Sequence, residues 1–171
     1  ILTEHGAKVV LAARSKDKLE ALSHDLKDSF VVVVDMKDAE SVKDLVRQTI
    51  AHFGSIDIIV NNAGVGYDEY VENIDVQKYL DLFRVNVVGP LVLMQEAIPH
   101  MRKKGEGAIV NITSGTAFMN NPNISAYASV KSALNTLTIT AREELKKDNI
   151  AVSLVYPYVT ETNFGKNVMS G

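Results

Sequence analysis

Tyr127 and Lys131 stand four residues apart in a stretch with helical character, from about Ala126 to Lys147. A phenol and an ammonium therefore project from one helix face, one turn above the other. Just upstream, the apolar run Ala108-Ile109-Val110-Asn111-Ile112 reads as a strand and ends in Thr113 and Ser114. A hydroxyl at the carboxyl end of a buried strand can face that helix across the intervening loop. Phenol, ammonium and hydroxyl together suit proton transfer to or from an oxygen. A phenol with a pKa near 10 gives up its proton slowly at neutral pH, and a nearby ammonium is expected to favour the phenolate and lower that pKa. Ser114 would hydrogen-bond the substrate oxygen where charge develops. Each residue also has a plain reading: Tyr and Lys at this spacing commonly decorate an exposed helix face, and Ser114 could simply start a turn. The upstream chain decides between them.

Residues able to place such a site alternate between two periodicities. Strand-like runs fall around 8–13, 30–34, 56–60, 108–113 and 150–155, rich in Val and Ile. Between them lie helical patterns: Lys16 to Lys27 with Leu19, Leu22 and Leu26 on one stripe, and a segment capped by Asp38 with Val42, Leu45, Val46 and Ile50 at core spacing, closed at Phe53-Gly54. A third runs from Val76 to about Met101, with Gly89-Pro90 and Pro99 bending it or closing turns. This order predicts an α/β fold, a doubly wound parallel sheet in a three-layer α/β/α arrangement, with helices on both faces. No repeat or linker divides the chain, so residues 1–171 are expected to form a single Rossmann-like domain.

In such sheets ligands bind beyond the carboxyl ends of the strands. Polar or small residues punctuate those ends in succession: Arg14, Asp35, Asn61 to Gly64, Ser114, and Pro157 to Thr162. Arg14 follows Ala13 where an acidic residue would hold the ribose hydroxyls of NAD. An arginine there accommodates a 2'-phosphate, which points to NADP over NAD, unless it is simply a solvated loop side chain. Asp35 could accept a hydrogen bond from an adenine amino group or cap the next turn. Ala63 and Gly64 permit close approach of backbone to a ligand, and the asparagines before them can hold the loop through side-chain-to-backbone bonds. A nicotinamide cofactor would carry hydride, while Tyr127 supplies or removes the proton. Asn86, inside the apolar run Val85-Asn86-Val87-Val88, either ties two helices together or holds a water near Lys131.

Composition narrows the alternatives. The 171 residues are 46% hydrophobic, with 18 basic against 21 acidic side chains and a formal charge of -3. No basic block points to nucleic acid or an anionic membrane. Without cysteine, thiolate chemistry and cysteine-ligated metals are excluded, and His5, His24, His52 and His100 lack metal-site spacing, so no metal is expected. No run is long and apolar enough for an ordinary membrane-spanning helix, and a cytoplasmic location is expected.

Asn61-Asn62-Ala63-Gly64, Asn86, the Ile109-to-Ser114 strand and Tyr127-Ala128-Ser129-Val130-Lys131 together resemble the short-chain dehydrogenase/reductase family. The resemblance covers nearly the whole chain. It implies an oxidoreductase interconverting a carbonyl and a secondary alcohol with NADP(H), using an Asn86, Ser114, Tyr127 and Lys131 tetrad. It also implies that Lys131 binds the nicotinamide ribose, that Asp35 and Met36 form the adenine-binding pair, that Asn61, Ala63 and Gly64 belong to the cofactor edge, and that Thr162 contacts the cofactor. Family members are usually dimers or tetramers, so a homodimer or homotetramer is expected, and Ala133, Leu134, Leu137 and Ile139 exceed what one core face needs. The family's glycine-rich turn is implied ahead of residue 1, and its last strand and helix beyond Gly171. Tyr158 stands where the family usually has glycine. Residues between Gly115 and Ala126, notably Phe118 and Met119, with Val65 to Tyr70, are expected to line a partly apolar pocket or to pack beneath a lid. A non-catalytic nucleotide-binding scaffold or redox sensor, or a dehydratase or epimerase, is the alternative.

Overall fold

A computed structural model describes residues 1–157 and 168–169. Its strands are β1 (Val9–Ala13), β2 (Ser29–Val33), β3 (Ile58–Asn61), β4 (Gly107–Ile112) and β5 (Ile150–Val155); its α-helices are α1 (Lys16–His24), α2 (Ala39–Phe53), α3 (Val76–Phe83), α4 (Gly89–Lys104) and α5 (Ser125–Leu145). All strand pairings are parallel, as crossover helices dictate. β1 pairs with β2, while β3, β4 and β5 form a second ladder in which Asn61 stands opposite Asn111 and Asn111 opposite Leu154. Strand carboxyl ends therefore lie side by side, which is what gathers the site.

Helix boundaries follow local chemistry. The Asp38 carboxylate accepts the Glu40 N–H at 2.9 Å and opens α2, and Gly54 closes it at φ 79°, a conformation that strains any residue with a β-carbon. Asp75 caps α3 by accepting from the Lys78 N–H. α3 runs into α4 through a π-helical turn, Arg84–Val88, and Pro90 follows at the start of α4, where its missing N–H removes one bond from the continuing helix. The extra residue of a π turn rotates the following helix and aims Asn86 inward, which heptad-style spacing does not reveal. α1 is shorter than the leucine spacing suggests. It ends at His24, and Leu22 is exposed while Leu19 is buried.

α2, α4 and α5 cover one face of the sheets. Val46, Ile59, Met94, Met101, Ile109, Leu145 and Val152 share one apolar cluster there, and Val32, Val34, Val42, Leu45 and Val92 another. Because α2 and α4 contribute to both, they join the two ladders into one three-layer α/β/α, Rossmann-like body, with α1 packed on β1 and β2 from the other side. Helices thus lie on both faces, as expected, while the outer face of β3 is open among the described residues. Ile58 and Val60 are 63% and 53% exposed while their neighbours Ile59 and Asn61 are buried. Among the described residues no helix crosses that face.

Candidate active site

The reactive face of α5 is pinned to the end of β4. Ser114, extended at φ −151°, begins a short 3-10 turn (Gly115–Phe118) and accepts hydrogen bonds from the Thr116 N–H at 3.2 Å and the Thr116 hydroxyl at 2.9 Å. With those two accepted, the Ser114 proton is left to donate. Tyr127 is half-buried and hydrogen-bonded to Ser114. One turn on, Lys131 is only 4% exposed; its ammonium donates to the Ile112 carbonyl at 3.2 Å and lies 5.7 Å from the centre of the Tyr127 ring. Thus Ser114, Tyr127 and Lys131 are brought together, as their spacing anticipated.

Asn86 completes the group from the other side. Fully buried in the π turn, it donates through Nδ2 to the Leu82 carbonyl at 3.0 Å and the Val65 carbonyl at 3.1 Å. The amide thus ties the turn to the loop after β3. Its Oδ1 has no partner among the described residues and faces Gly64. A β-carbon on Gly64 would meet Asn86 Oδ1 and Lys131 Nζ, so these two polar groups converge on the glycine. The tie runs to the loop after β3 rather than to a second helix, and the amide oxygen faces Gly64 beside Lys131 Nζ.

Electrostatics depart from expectation at Tyr127. Burial raises the phenol pKa above its usual 10; the Ser114 hydrogen bond works against that rise, and the Asp68 carboxylate adds to it. The expected lowering by Lys131 is overturned in this structure. That ammonium is directed at a backbone carbonyl and the ring face, and burial brings its own pKa from 10.5 to about 8.

A cleft of ~180 Å³ opens at the strand ends, walled by Arg14 after β1, Asp35 and Met36 after β2, and Ala63 and Gly64 after β3. Sequence reasoning had singled out all five, and Val65 as a pocket residue; it missed Ala12, Val34 and Val85, apolar wall residues with no chemical signature. Asp35 also accepts the Lys37 N–H at 2.9 Å, its turn-capping role. Asn61 lies beneath the cleft rather than in it. Its Nδ2 donates to Asn111 Oδ1 at 2.8 Å, so it ties β3 to β4 instead of holding the loop. Thr162 and Tyr158 lie outside the described residues. Of the expected pocket residues, Tyr67 is core: fully buried, it accepts the Asp75 N–H through its hydroxyl. Phe118 is 72% exposed and its ring lies 5.5 Å from that of Tyr156, which follows β5. A larger groove of ~380 Å³ runs between α4 and α5 and contains none of these residues.

The family model described as short chain dehydrogenase matches residues 1–171. A 3-oxoacyl-(acyl-carrier-protein) reductase FabG of Staphylococcus epidermidis is 34% identical over 161 residues, covering 91% of this chain. The chain spans just under two thirds, 66%, of that relative's length. Among solved structures, gluconate 5-dehydrogenase from Burkholderia cenocepacia in complex with NADP and tartrate superposes with a TM-score of 0.88 at 28% identity, over 96% of this chain and 66% of the other. A 3-ketoacyl-(acyl-carrier-protein) reductase from Brucella melitensis complexed with NADH reaches 0.92 at 28% identity, over 97% and 70%.

Proposed function

The chain belongs to the short-chain dehydrogenase family, and from that premise we propose that the intact protein is an NADP(H)-dependent oxidoreductase that reduces a carbonyl to a secondary alcohol. The observation that carries this reading is the convergence of Ser114, Tyr127 and Lys131 at the end of β4, beside the cleft walled by Arg14, Asp35 and Gly64. The donor set fits a dinucleotide. Arg14 offers a guanidinium for a 2'-phosphate, Ala63 and Gly64 leave backbone accessible, and Asp35 and Met36 stand where adenine would lie. Bound NADPH would supply the hydride to the carbonyl carbon.

Everything else falls to this chain's side chains. Ser114 donates to the carbonyl oxygen and fixes its position. Tyr127 then gives its proton to that oxygen as negative charge develops there. A phenol whose pKa burial has raised stays protonated at neutral pH, which suits reduction rather than alcohol oxidation. Lys131, charged below about pH 8, would hold the nicotinamide ribose, and the Asn86 amide near it marks the side from which the proton returns. The Phe118 and Tyr156 rings, 5.5 Å apart just beyond β4 and β5, favour a substrate with an apolar substituent beside the carbonyl.

A second copy of the chain seated on the α4–α5 groove, with Ile139 half-exposed on α5, is the assembly we favour, as a homodimer or a homotetramer in the cytoplasm. Among the described residues no helix is long and apolar enough to cross a membrane.

The test is NADPH oxidation by the intact protein with a panel of ketones and aldehydes, beside its Tyr127→Phe variant. Turnover that the variant loses supports the assignment. Cofactor binding without turnover on any carbonyl, and no difference between the two proteins, would overturn it.

A further inference from the structure

The interface between β4 and α5 is a polar seam where apolar packing would have sufficed. Asn111 and Thr113, two apart on β4, point to the same face, toward α5. Asn111 Nδ2 donates to Thr138 Oγ1 at 2.8 Å, and the Thr113 hydroxyl donates to Asn135 Oδ1 at 2.5 Å. Thr138 in turn donates to the Leu134 carbonyl at 2.6 Å. Thr113 and Asn135 are 3% and 6% exposed, so water does not compete for this bond. Yet Asn135 Nδ2, also buried, has no partner among the described residues.

That arrangement is costly. A buried amide donor left unpaired destabilises a fold, whereas replacing both partners of such a bond by apolar groups of like shape is neutral or stabilising. Position matters too. Tyr127, Lys131 and Asn135 recur every four residues along α5 and so share one face. Thr113 immediately precedes Ser114. Apolar contacts through Ala141 and Leu145, which share a cluster with Ile109 of β4, resist separation of helix from strand but tolerate sliding; a short hydrogen bond between fixed groups does not.

We infer that the Thr113–Asn135 pair is a positioning device that holds Tyr127 and Lys131 at the height of Ser114, at some loss of stability. Asn135 touches no substrate and acts through the register of α5. This deepens the proposed function and rests on Tyr127 being the acid. A misplacement of about 1 Å is enough to slow chemistry on the order of a hundredfold, so small slippage has large effects.

The experiment compares the intact protein with Thr113→Val/Asn135→Leu, which removes both partners at nearly constant volume, and with Thr113→Ser, which keeps the hydroxyl. For the double variant the expected result is kcat lower by about tenfold or more, KM within about threefold, and a melting temperature equal to or above that of the parent. Thr113→Ser should retain the parent's kcat. Fluorotyrosine labelling adds a readout independent of turnover: the Tyr127 resonance, assigned by its loss in Tyr127→Phe, should shift in the double variant and not in Thr113→Ser. An unshifted resonance with unchanged kcat overturns the inference. If the parent turns over no carbonyl, the functional reading fails, and the resonance alone then decides whether the pair sets the position of Tyr127.

Discussion

Gly64 sits against Asn86 with no room for a side chain: a β-carbon on the glycine would stand 2.9 Å from Asn86 Oδ1 and 3.5 Å from Lys131 Nζ. Asn86 cannot retreat, because its Nδ2 is held by the Leu82 and Val65 carbonyls inside the π turn. Gly64→Ala must therefore displace the amide, the ammonium or the cleft wall. Overpacking of this kind costs about 1–3 kcal/mol. The expected outcome is a modest drop in melting temperature and a fall in kcat/KM of roughly tenfold to a hundredfold. Steady-state kinetics beside a thermal melt check it; unchanged kinetics would mean that the convergence on Gly64 has no part in the reaction.

Removing the phenol hydroxyl while keeping the ring isolates the proton. Tyr127→Phe should lower kcat by about 10²–10⁴, the usual contribution of a positioned acid, with the melting temperature nearly unchanged. The pH profile carries a further sign. The phenol stays protonated well above neutrality, so the first ionisation met on raising pH is that of Lys131, near 8. The reduction rate should decline as pH rises through about 8. In Lys131→Arg, whatever its absolute rate, that decline should vanish, since a guanidinium keeps its charge throughout.

Lys131 also ties stability to pH. Its ammonium titrates near 8 when folded and near 10.5 when unfolded. Between those values the unfolded chain binds the proton that the native state has lost, so stability rises with pH across this window. Below pH 8 the cost of burying the charge is fully present, on the order of 3 kcal/mol at most. Lys131→Met is therefore expected to be more stable than the parent at pH 7, by about 1–3 kcal/mol, with the gap closing above pH 10.5. Urea unfolding at several pH values measures it, and equal stability at pH 7 contradicts it.

Much of the site was legible because parallel strands put successive carboxyl ends in one row. Arg14, Asp35, Met36, Ala63 and Gly64 could be read from strand ends alone, and Ser114, Tyr127 and Lys131 from a strand end plus one helical repeat. What stayed hidden depends on register and depth. Thr113 and Asn135 are 22 residues apart and meet only when α5 is docked on β4. Asn61 reads as loop chemistry until pairing sets it opposite Asn111. Tyr67 looks like a pocket residue, and only packing with Leu82 and Val130 makes it core. The phenol pKa went the other way because burial, which spacing does not encode, outweighed a cation aimed elsewhere.

Cofactor choice turns on Arg14, which lines the cleft at the end of β1. A guanidinium hydrogen-bonded to a phosphate contributes about 1.5–3 kcal/mol. Arg14→Ala should weaken NADPH binding by roughly tenfold to a hundredfold while leaving NADH within a factor of about three. Because the side chain is exposed, the NADPH effect should shrink with added salt. Fluorescence titration of both nucleotides separates the cases, and equal losses for the two would remove Arg14 from phosphate recognition.

Gly89 presents a different constraint, since what blocks its β-carbon is backbone. That atom would stand 2.5 Å from the Met36 carbonyl oxygen and 3.0 Å from the Met36 Cε. A flexible side chain could move aside, but the Met36 carbonyl belongs to the turn that leaves β2 and lines the cleft. Gly89→Ala must then push the start of α4 away from that turn. Two losses should follow together. Stability should fall by about 2–4 kcal/mol, at the upper end for overpacking because the helix itself must shift. NADPH binding should weaken as well, since Met36 moves with the turn. Gly107→Ala is the comparison: its β-carbon would first meet the Met101 side chain, at 2.6 Å, away from the cleft. It should lower the melting temperature while leaving nucleotide affinity intact. Nucleotide affinity that survives in Gly89→Ala would detach the start of α4 from the cofactor edge.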